Sequence, residues 1–511
     1  MKTYHIIVLA AAGILLAACA KPQPQPVRYS EQMINARMSA WYNKDNCVGF
    51  PNANSTNGVT VPETAATWDY VPGVVAKGIL DVWQYYQDSA WADAWYLGIA
   101  QWADSLDEAE LDELVRGGIL DDLNCAKVFM GLYEGAKPGG KFENSGKAAF
   151  YMEQMRHAAR GLAEHKAKYS ISVPDAVSPV NGGWMHKATD NPEKSYWGQM
   201  WCDGAYMGPA LLAQLLAAGA CDSTGLGWND VYTQFEASWP FLWDEEKQLL
   251  YHVLFTDVTT NKNARMIYEA GHAYKSQFSI LNSQLPPVYH SEESWGRAAG
   301  WYILALVDVM EAYLESLKAA GEWHEGDPLP SAQHFDQMRE YLTLLADGLV
   351  ARQDPETGCW YQLLQYGPEK CATQGVDDTG SAKFANVEAG GTQCNYLESS
   401  ASCLITAALL KGTRLGLIHH AEAGKRGFEG IQRTFVRPNS QFSTLNSQFS
   451  TLNSQLTITS SCQSAGLSHD RNGTAAYYLI GKDVPIQDNT EGKVLGAYLM
   501  AAVEYERACQ P

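Results

Sequence analysis

The chain has 511 residues, 46% of them hydrophobic and 18% charged, with 57 acidic against 37 basic side chains and a formal net charge of −20. A surface of that sign disfavours nucleic acid and gives no general attraction for polyanions, so an acidic substrate needs a local basic pocket. The length suits two to four ordinary domains, or one large α-helical toroid.

At the N-terminus, MKTYHIIVLAAAGILLAACAKPQPQP carries Lys2, an apolar run from Ile6 to Leu16 and the sequence LAAC ending at Cys19. Residues 1–18 read as a bacterial lipoprotein signal whose cleavage leaves Cys19 as a lipidated terminus on a membrane of the cell envelope. An ordinary secretory signal with a chance cysteine is the plainer alternative. The PQPQP that follows is a stiff polyproline-type spacer, set here at 19–35, ahead of a single folded domain at 36–511. No later run reaches the ~18 apolar residues that a spanning helix needs. The chain has 11 cysteines, an even number once Cys19 is set aside, and no CxxC spacing that would suggest zinc.

Helical periodicity then dominates. GILDVWQYYQDSAWADAWYLGIAQWADSL, AAFYMEQMRHAARGLAEH, GWYILALVDVMEAYLESL and KVLGAYLMAAVEYERA all place apolar residues three and four apart, and strand-like alternation is scarce. Within QMWCDGAYMGPALLAQL, residues 199–215, Asp203 is the only charge, between Trp201 and Tyr206. A carboxylate in such a setting needs a partner, because desolvating it costs several kcal/mol. It would serve either chemistry or as a cap for the helix that starts near Pro209.

LWDEEKQLLYHVL at 242–254 repeats as ARQDPETGCWYQLL at 351–364, which aligns Asp244 with Asp354, Glu246 with Glu356, Tyr251 with Tyr361 and His252 with Gln362. GGWMHK at 182–187 ends in a similar aromatic-x-His. Helical hairpins whose loops bring such residues to one end predict a closed ring of hairpins around a pocket. Two stretches break the pattern. SQFSILNSQL at 276–285 and SQFSTLNSQFSTLNSQL at 440–456 are near-copies without charge or helix formers, and read as disordered surface inserts.

WDYVPG (68–73), LDDLNCAKVFMGLYE (120–134), GGWMHK, QMWCDGAYMGP, SWGRAAGWYILALVDV (294–309), NYLESSASCLITAALLKGTRLG (395–416) and DNTEGKVLGAYLMAAVEYE (488–506) follow one another in the order expected of one family. Together, over roughly residues 60 to 506, they resemble the unsaturated rhamnogalacturonyl hydrolases of glycoside hydrolase family 105, related to the unsaturated glucuronyl hydrolases of family 88. The resemblance implies an all-α (α/α)6 toroid with its active site at one end of the ring. It also implies removal of a Δ4,5-unsaturated uronic acid from oligosaccharides left by a polysaccharide lyase. Water would add across C4=C5, without direct displacement at the anomeric carbon.

By the same resemblance Asp203 is the acid/base residue, with Trp201 and Tyr206 as its apolar surroundings, although Trp201 equally suits the core. Asp121 is the second acidic residue, orienting sugar hydroxyls; Asp122 beside it leaves the register open by one, and an N-cap pair is the structural alternative. His186 and His252 are pocket histidines, with ATDNPEKSY at 188–196 an insertion beside the first. Arg297 would hold a carboxylate or ring oxygens through its planar fork, Trp301 would stack a sugar face, and Tyr70 is a weaker pocket candidate. Ala298 and Ala299 stand where the family commonly has Gly and Asn, which bears on subsite preference. Hydration of an activated double bond implies no metal or organic cofactor. Three other readings fit the sequence: an unsaturated glucuronyl hydrolase on glycosaminoglycan fragments, a two-carboxylate glycosidase, and a lipid-anchored glycan-binding protein without catalysis.

If the lipobox is used, Cys19→Ala releases the protein from membranes or blocks its processing. Equal solubility of wild type and variant on fractionation of a bacterial host would refute the anchor.

Overall fold

The computed structural model describes residues 27–38, 70–104, 106, 119–175, 177–187, 196–256, 262–375, 387–438, 456–468, 471–481, 484–488, 490 and 492–509. Twelve longer helices among them form six inner–outer pairs. They are α1 (Tyr29–Met38), α2 (Tyr70–Tyr85), α3 (Ala90–Asp104), α4 (Lys127–Ala136), α5 (Ser145–Tyr169), α6 (Pro209–Ala217), α7 (Trp228–Leu242), α8 (Gly296–Ala320), α9 (Gln333–Ala351), α10 (Ser399–Arg414), α11 (Ala421–Thr434) and α12 (Gly492–Cys509). Inner helices α2, α4, α6, α8, α10 and α12 pack each against the next, and α12 closes back on α2. Helices α3, α5, α7, α9, α11 and α1 cover them from outside. This is the (α/α)6 toroid that the sequence predicts.

Burial separates the two rings. Every residue of α8 from Gly296 to Met310 is buried, as expected for a helix enclosed by the barrel axis on one side and an outer helix on the other. In the outer helix α9 only a stripe is buried, including Phe335, Met338, Leu342, Leu345 and Leu349, the three- and four-residue spacing of one face. Pro209 begins α6, where its missing N–H is not needed, and Gly321 ends α8 with φ of +72°.

The outer ring is completed by α1, inside the stretch expected to be a spacer. Ser30 donates through its N–H and its hydroxyl to Glu506 of α12, at 2.8 and 2.7 Å, so the folded domain begins by Tyr29 and not at 36. The stretch 276–285 is also more ordered than its composition suggested. Gln277–Leu281 is a short helix capped by Ser276, and Phe278 packs edge-on to Phe241 of α7 at 5.2 Å. A serine cap and one anchored ring suffice to order it. In the second stretch residues 440–455 lie outside the described residues, and Leu456 opens a strand, Leu456–Ile458, paired with Val436–Pro438. Cys19 also lies outside them. Of the cysteines, Cys371 and Cys394 form a disulfide.

One end of the barrel gathers the first turns of the inner helices or of the short helices leading into them, which carry Tyr70, Asp121, Asp203, Arg297, Ser399 and Lys493. A small antiparallel sheet borders this end, in the order β1 (Gln199–Trp201), β2 (Val253–Phe255), β4 (Tyr289–Ser291), β3 (Ala273–Lys275). Toward the opposite end, a cavity is lined by charges paired with one another, among them Lys77 with Asp81 at 2.6 Å and Lys411 with Asp308 at 2.6 Å.

The internal repeat is a repeat of structure. Asp244 accepts from the Lys247 N–H at 2.9 Å and from Tyr251 at 2.5 Å, and Asp354 accepts from the Thr357 N–H at 2.8 Å and from Tyr361 at 3.5 Å. Each acidic turn also rests a backbone carbonyl on a glycine in the next outer helix, Gln248 on Gly348 of α9 and Thr357 on Gly430 of α11, with no room for a Cβ. Gly348→Ala and Gly430→Ala should therefore each destabilise by about 1–3 kcal/mol through overpacking, despite alanine's better helix propensity. Unchanged unfolding midpoints in denaturant would show that the two contacts yield freely.

Candidate active site

Asp203 reaches its partner through strand pairing. In the β1–β2 ladder Trp201 stands opposite Val253, and the Cys202 N–H donates to the His252 carbonyl at 3.0 Å. The chain then turns into the short helix Cys202–Met207, whose first turn holds Asp203. This sets Asp203 Oδ2 3.1 Å from His252 Nε2, with Asp203 8% exposed and His252 fully buried. The other ring nitrogen, Nδ1, lies 2.5 Å from the hydroxyl of Tyr478.

A second carboxylate–histidine pair stands beside the first. Asp121 Oδ1 is 3.4 Å from His186 Nε2, and the bond from the Leu120 N–H to the His186 carbonyl, 3.3 Å, brings the two segments together. Trp201 joins the pairs: its ring stacks on His186 at 4.4 Å and meets His252 edge-on at 5.3 Å. Burial pushes the Asp121 carboxyl up, but His186, Lys187 and Lys493 outweigh it and hold the group below its ordinary value. Asp121 is thus kept ionised at neutral pH and is unsuited to donate a proton.

The structure brings Asp203, His252, Asp121, His186 and Trp201 into one cluster. It does not expose Arg297 or Trp301 to a ligand. The Arg297 guanidinium is buried and taken up by protein: Nε donates to Ser400 Oγ at 2.7 Å, Nη1 to the Gln463 carbonyl at 3.3 Å, Nη2 to Ser461 Oγ at 3.2 Å and to the Cys462 carbonyl, and Glu398 lies 3.7 Å away. Its fork therefore ties α8 to the start of α10 and to the 461–463 segment. Trp301 is fully buried, its ring 4.5 Å from that of Tyr206 and 6.3 Å from that of Tyr70, so it belongs to the barrel interior and not to a sugar platform. Tyr206 likewise turns inward, with Lys127 Nζ 3.2 Å from its ring centroid. Tyr70 is partly exposed at the start of α2.

Sequence reasoning missed three residues. Tyr478 lies in AAYYLI, which carries no motif. Glu398 is buried and accepts from the Ala401 N–H at 2.6 Å, the Cys462 N–H at 2.8 Å and Ser400, so it caps α10 and organises the arginine's surroundings. Glu293, two residues before the WGR motif, gives its carbonyl to the His252 N–H at 3.1 Å, while its buried carboxylate accepts from Gln365.

The model of Glycosyl Hydrolase Family 88 matches residues 47–387. The chain belongs to glycosyl hydrolase family 88. It is 27% identical over 220 residues to the 24.9 kDa protein in the picA locus of Rhizobium radiobacter, covering 41% of this chain and 70% of that one. A family 105 glycoside hydrolase from Clostridium acetobutylicum superposes with a TM-score of 0.61 at 22% identity, over 94% of this chain and 100% of that one. A possible family 105 member from Klebsiella pneumoniae does so with a TM-score of 0.55 at 16% identity, over 96% of each. These likenesses carry the fold. The chain is thus a glycoside hydrolase of family 88.

Burial, and then the neighbouring Glu292, push Glu293 from its ordinary 4.5 up to about 7. Between those values the folded enzyme keeps a proton that the unfolded chain releases, so this stabilisation is complete below 4.5 and is lost as pH rises through 7. The contribution is up to about 3 kcal/mol. In Glu293→Gln, unfolding free energies measured from pH 4.5 to 8 should lose that downward slope; the same slope in both proteins would exclude Glu293 as its source.

Proposed function

We propose that the enzyme hydrates the C4=C5 double bond of a Δ4,5-unsaturated galacturonic acid at the non-reducing end of pectin- or rhamnogalacturonan-derived oligosaccharides, with Asp203 as both acid and base. The single observation that carries this reading is the division of labour between the two carboxylates. Asp121 is held ionised by His186 and two lysines, whereas Asp203 faces one histidine and, among the described residues, no lysine or arginine pairs with it.

An enol ether is protonated at carbon. The Asp203 proton goes to C4, and the C4=C5 electron pair forms the new C–H bond. The positive charge then rests on C5 and the ring oxygen. Water attacks C5 and gives a proton to the Asp203 carboxylate, which restores the acid. The resulting hemiketal opens to a ketone at C5, leaving a hemiacetal at C1 that releases the next sugar. Ionised Asp121 would accept hydrogen bonds from sugar hydroxyls. The substrate carboxylate would meet the first turns of the inner helices, whose dipoles favour an anion, and the charges of Lys187 and Lys493. A sulfated glycosaminoglycan fragment would call for more basic side chains, and Arg297 is already taken up by Ser400, Ser461, Cys462, Gln463 and Glu398. Anchored through Cys19, the enzyme would work at the envelope, where lyase products arrive from outside.

Unsaturated disaccharides from pectin, rhamnogalacturonan and glycosaminoglycan lyases, incubated with the protein, should lose the ultraviolet absorbance of the conjugated acid fastest for the first two. Asp203→Asn should lower that rate by ~10²- to 10⁴-fold, the usual range for general acid–base catalysis, while still binding the disaccharide. A preference for the glycosaminoglycan product would overturn the substrate reading; an active Asp203→Asn variant would overturn the mechanism.

A further inference from the structure

Tyr478 is fully buried, and two residues that the internal repeat makes equivalent grip it from both ends. His252 Nδ1 lies 2.5 Å from its hydroxyl, and Gln362 Nε2 donates to its backbone carbonyl at 3.2 Å. Gln362 is itself oriented by Trp295, whose Nε1 donates to Gln362 Oε1 at 3.0 Å, and the Trp295 ring is stacked on Tyr478 with centroids 6.1 Å apart. The helix Ala475–Ile480 that carries Tyr478 is capped by Thr474, which accepts from the Tyr477 N–H at 3.1 Å. The hydroxyl is therefore set in place before any ligand arrives.

We propose that Tyr478 is a positioning residue that fixes the proton of His252 on Nε2, so that Asp203 accepts through Oδ2 in both of its protonation states and carries its transferable proton on Oδ1. This rests on the reading of Asp203 as the acid. A neutral imidazole has one N–H, and its direction is set by whatever bonds the other nitrogen. With the Tyr478 O–H donating to Nδ1, Nε2 must donate to Oδ2. Burial holds the Tyr478 hydroxyl well above its ordinary value, so it stays a donor throughout the working range of pH. A protonated Asp203 then offers its carbonyl oxygen to His252 and keeps the hydroxyl on Oδ1, which accepts no hydrogen bond among the described residues. In the opposite tautomer the acid proton would be held in an O–H···Nε2 bond, facing away from C4. Tyr478 acts through His252 and has no exposed surface with which to touch substrate.

The test begins without substrate. In protein labelled with ¹⁵N at its 12 histidines, the His252 signals, assigned by their loss in His252→Gln, should report the proton on Nε2 and a lone pair on Nδ1. A proton on Nδ1 in the wild type overturns the proposal, whether or not any variant folds. In Tyr478→Phe the signals should move toward a mixture of tautomers and kcat should fall roughly 10- to 100-fold, the usual effect of losing a partner that orients a functional histidine, with KM little changed. In a His252→Gln background the same substitution should add nothing, and an equal further loss there would show that Tyr478 acts by another route. If wild type ignores every unsaturated disaccharide, the reading of Asp203 fails while the tautomer measurement still stands by itself.

Discussion

At 8% exposure Asp203 has almost no water to solvate it, and a carboxylate so placed is tolerated only where fixed hydrogen bonds replace the solvent. The bond from His252 does this. Its 3.1 Å distance depends on the two-strand register that sets Trp201 opposite Val253, and on the turn that takes Cys202 straight into a helix. A slip of one residue in that ladder would bring Trp201 or Asp203 opposite His252 in place of Cys202 and break the Cys202–His252 backbone bond from which the turn starts. Much of the surrounding structure serves to hold this register. The Glu293 carbonyl accepts the His252 N–H, the Ser291 hydroxyl oxygen of β4 accepts the Val253 N–H at 3.1 Å, and the Tyr478 hydroxyl lies 2.5 Å from the ring's Nδ1.

The toroid supplies the frame by bringing six helix starts to one end, and its closure relies on buried charge. Arg297 and Glu398 join the starts of α8 and α10 and hold the 461–463 segment against them. Glu506 binds α1 to α12 through Ser30, and receives Tyr86 of the segment after α2 at 3.0 Å. Removing one member of such a group leaves the others buried without partners, which is strongly destabilising. Arg297 thus shapes the site indirectly, by fixing the segment that lies across the start of α10.

The sequence revealed most about features that are local or repeated. Periodicity marked the helices, and a thirteen-residue echo gave the hairpin symmetry and paired His252 with Gln362 before either could be seen holding Tyr478. The isolation of Asp203 among apolar residues marked it as exceptional. What was hidden depends on residues far apart in the chain. Arg297 looked available because Ser400 and Cys462 lie more than a hundred positions downstream, and Trp301 looked like a platform because nothing local shows Tyr206 and Tyr70 closing over it. YSEQMINARM has little apolar character and reads as spacer, whereas α1 is held by the bond from Ser30 to Glu506, 476 positions away. The short helix after Ser276 was disguised by the same polar composition that suggested disorder.

In the proposed reaction water adds across C4=C5 at Asp203 and the anomeric bond is broken only afterwards. This order is tested most directly by running the reaction on an unsaturated disaccharide in heavy water, and separately in ¹⁸O-labelled water, and locating the isotopes in the released uronate. Deuterium should appear at C4 and labelled oxygen at C5. Label at the anomeric carbon, with the double bond intact in the product, would contradict this order and identify the enzyme as a glycosidase that displaces its leaving group directly.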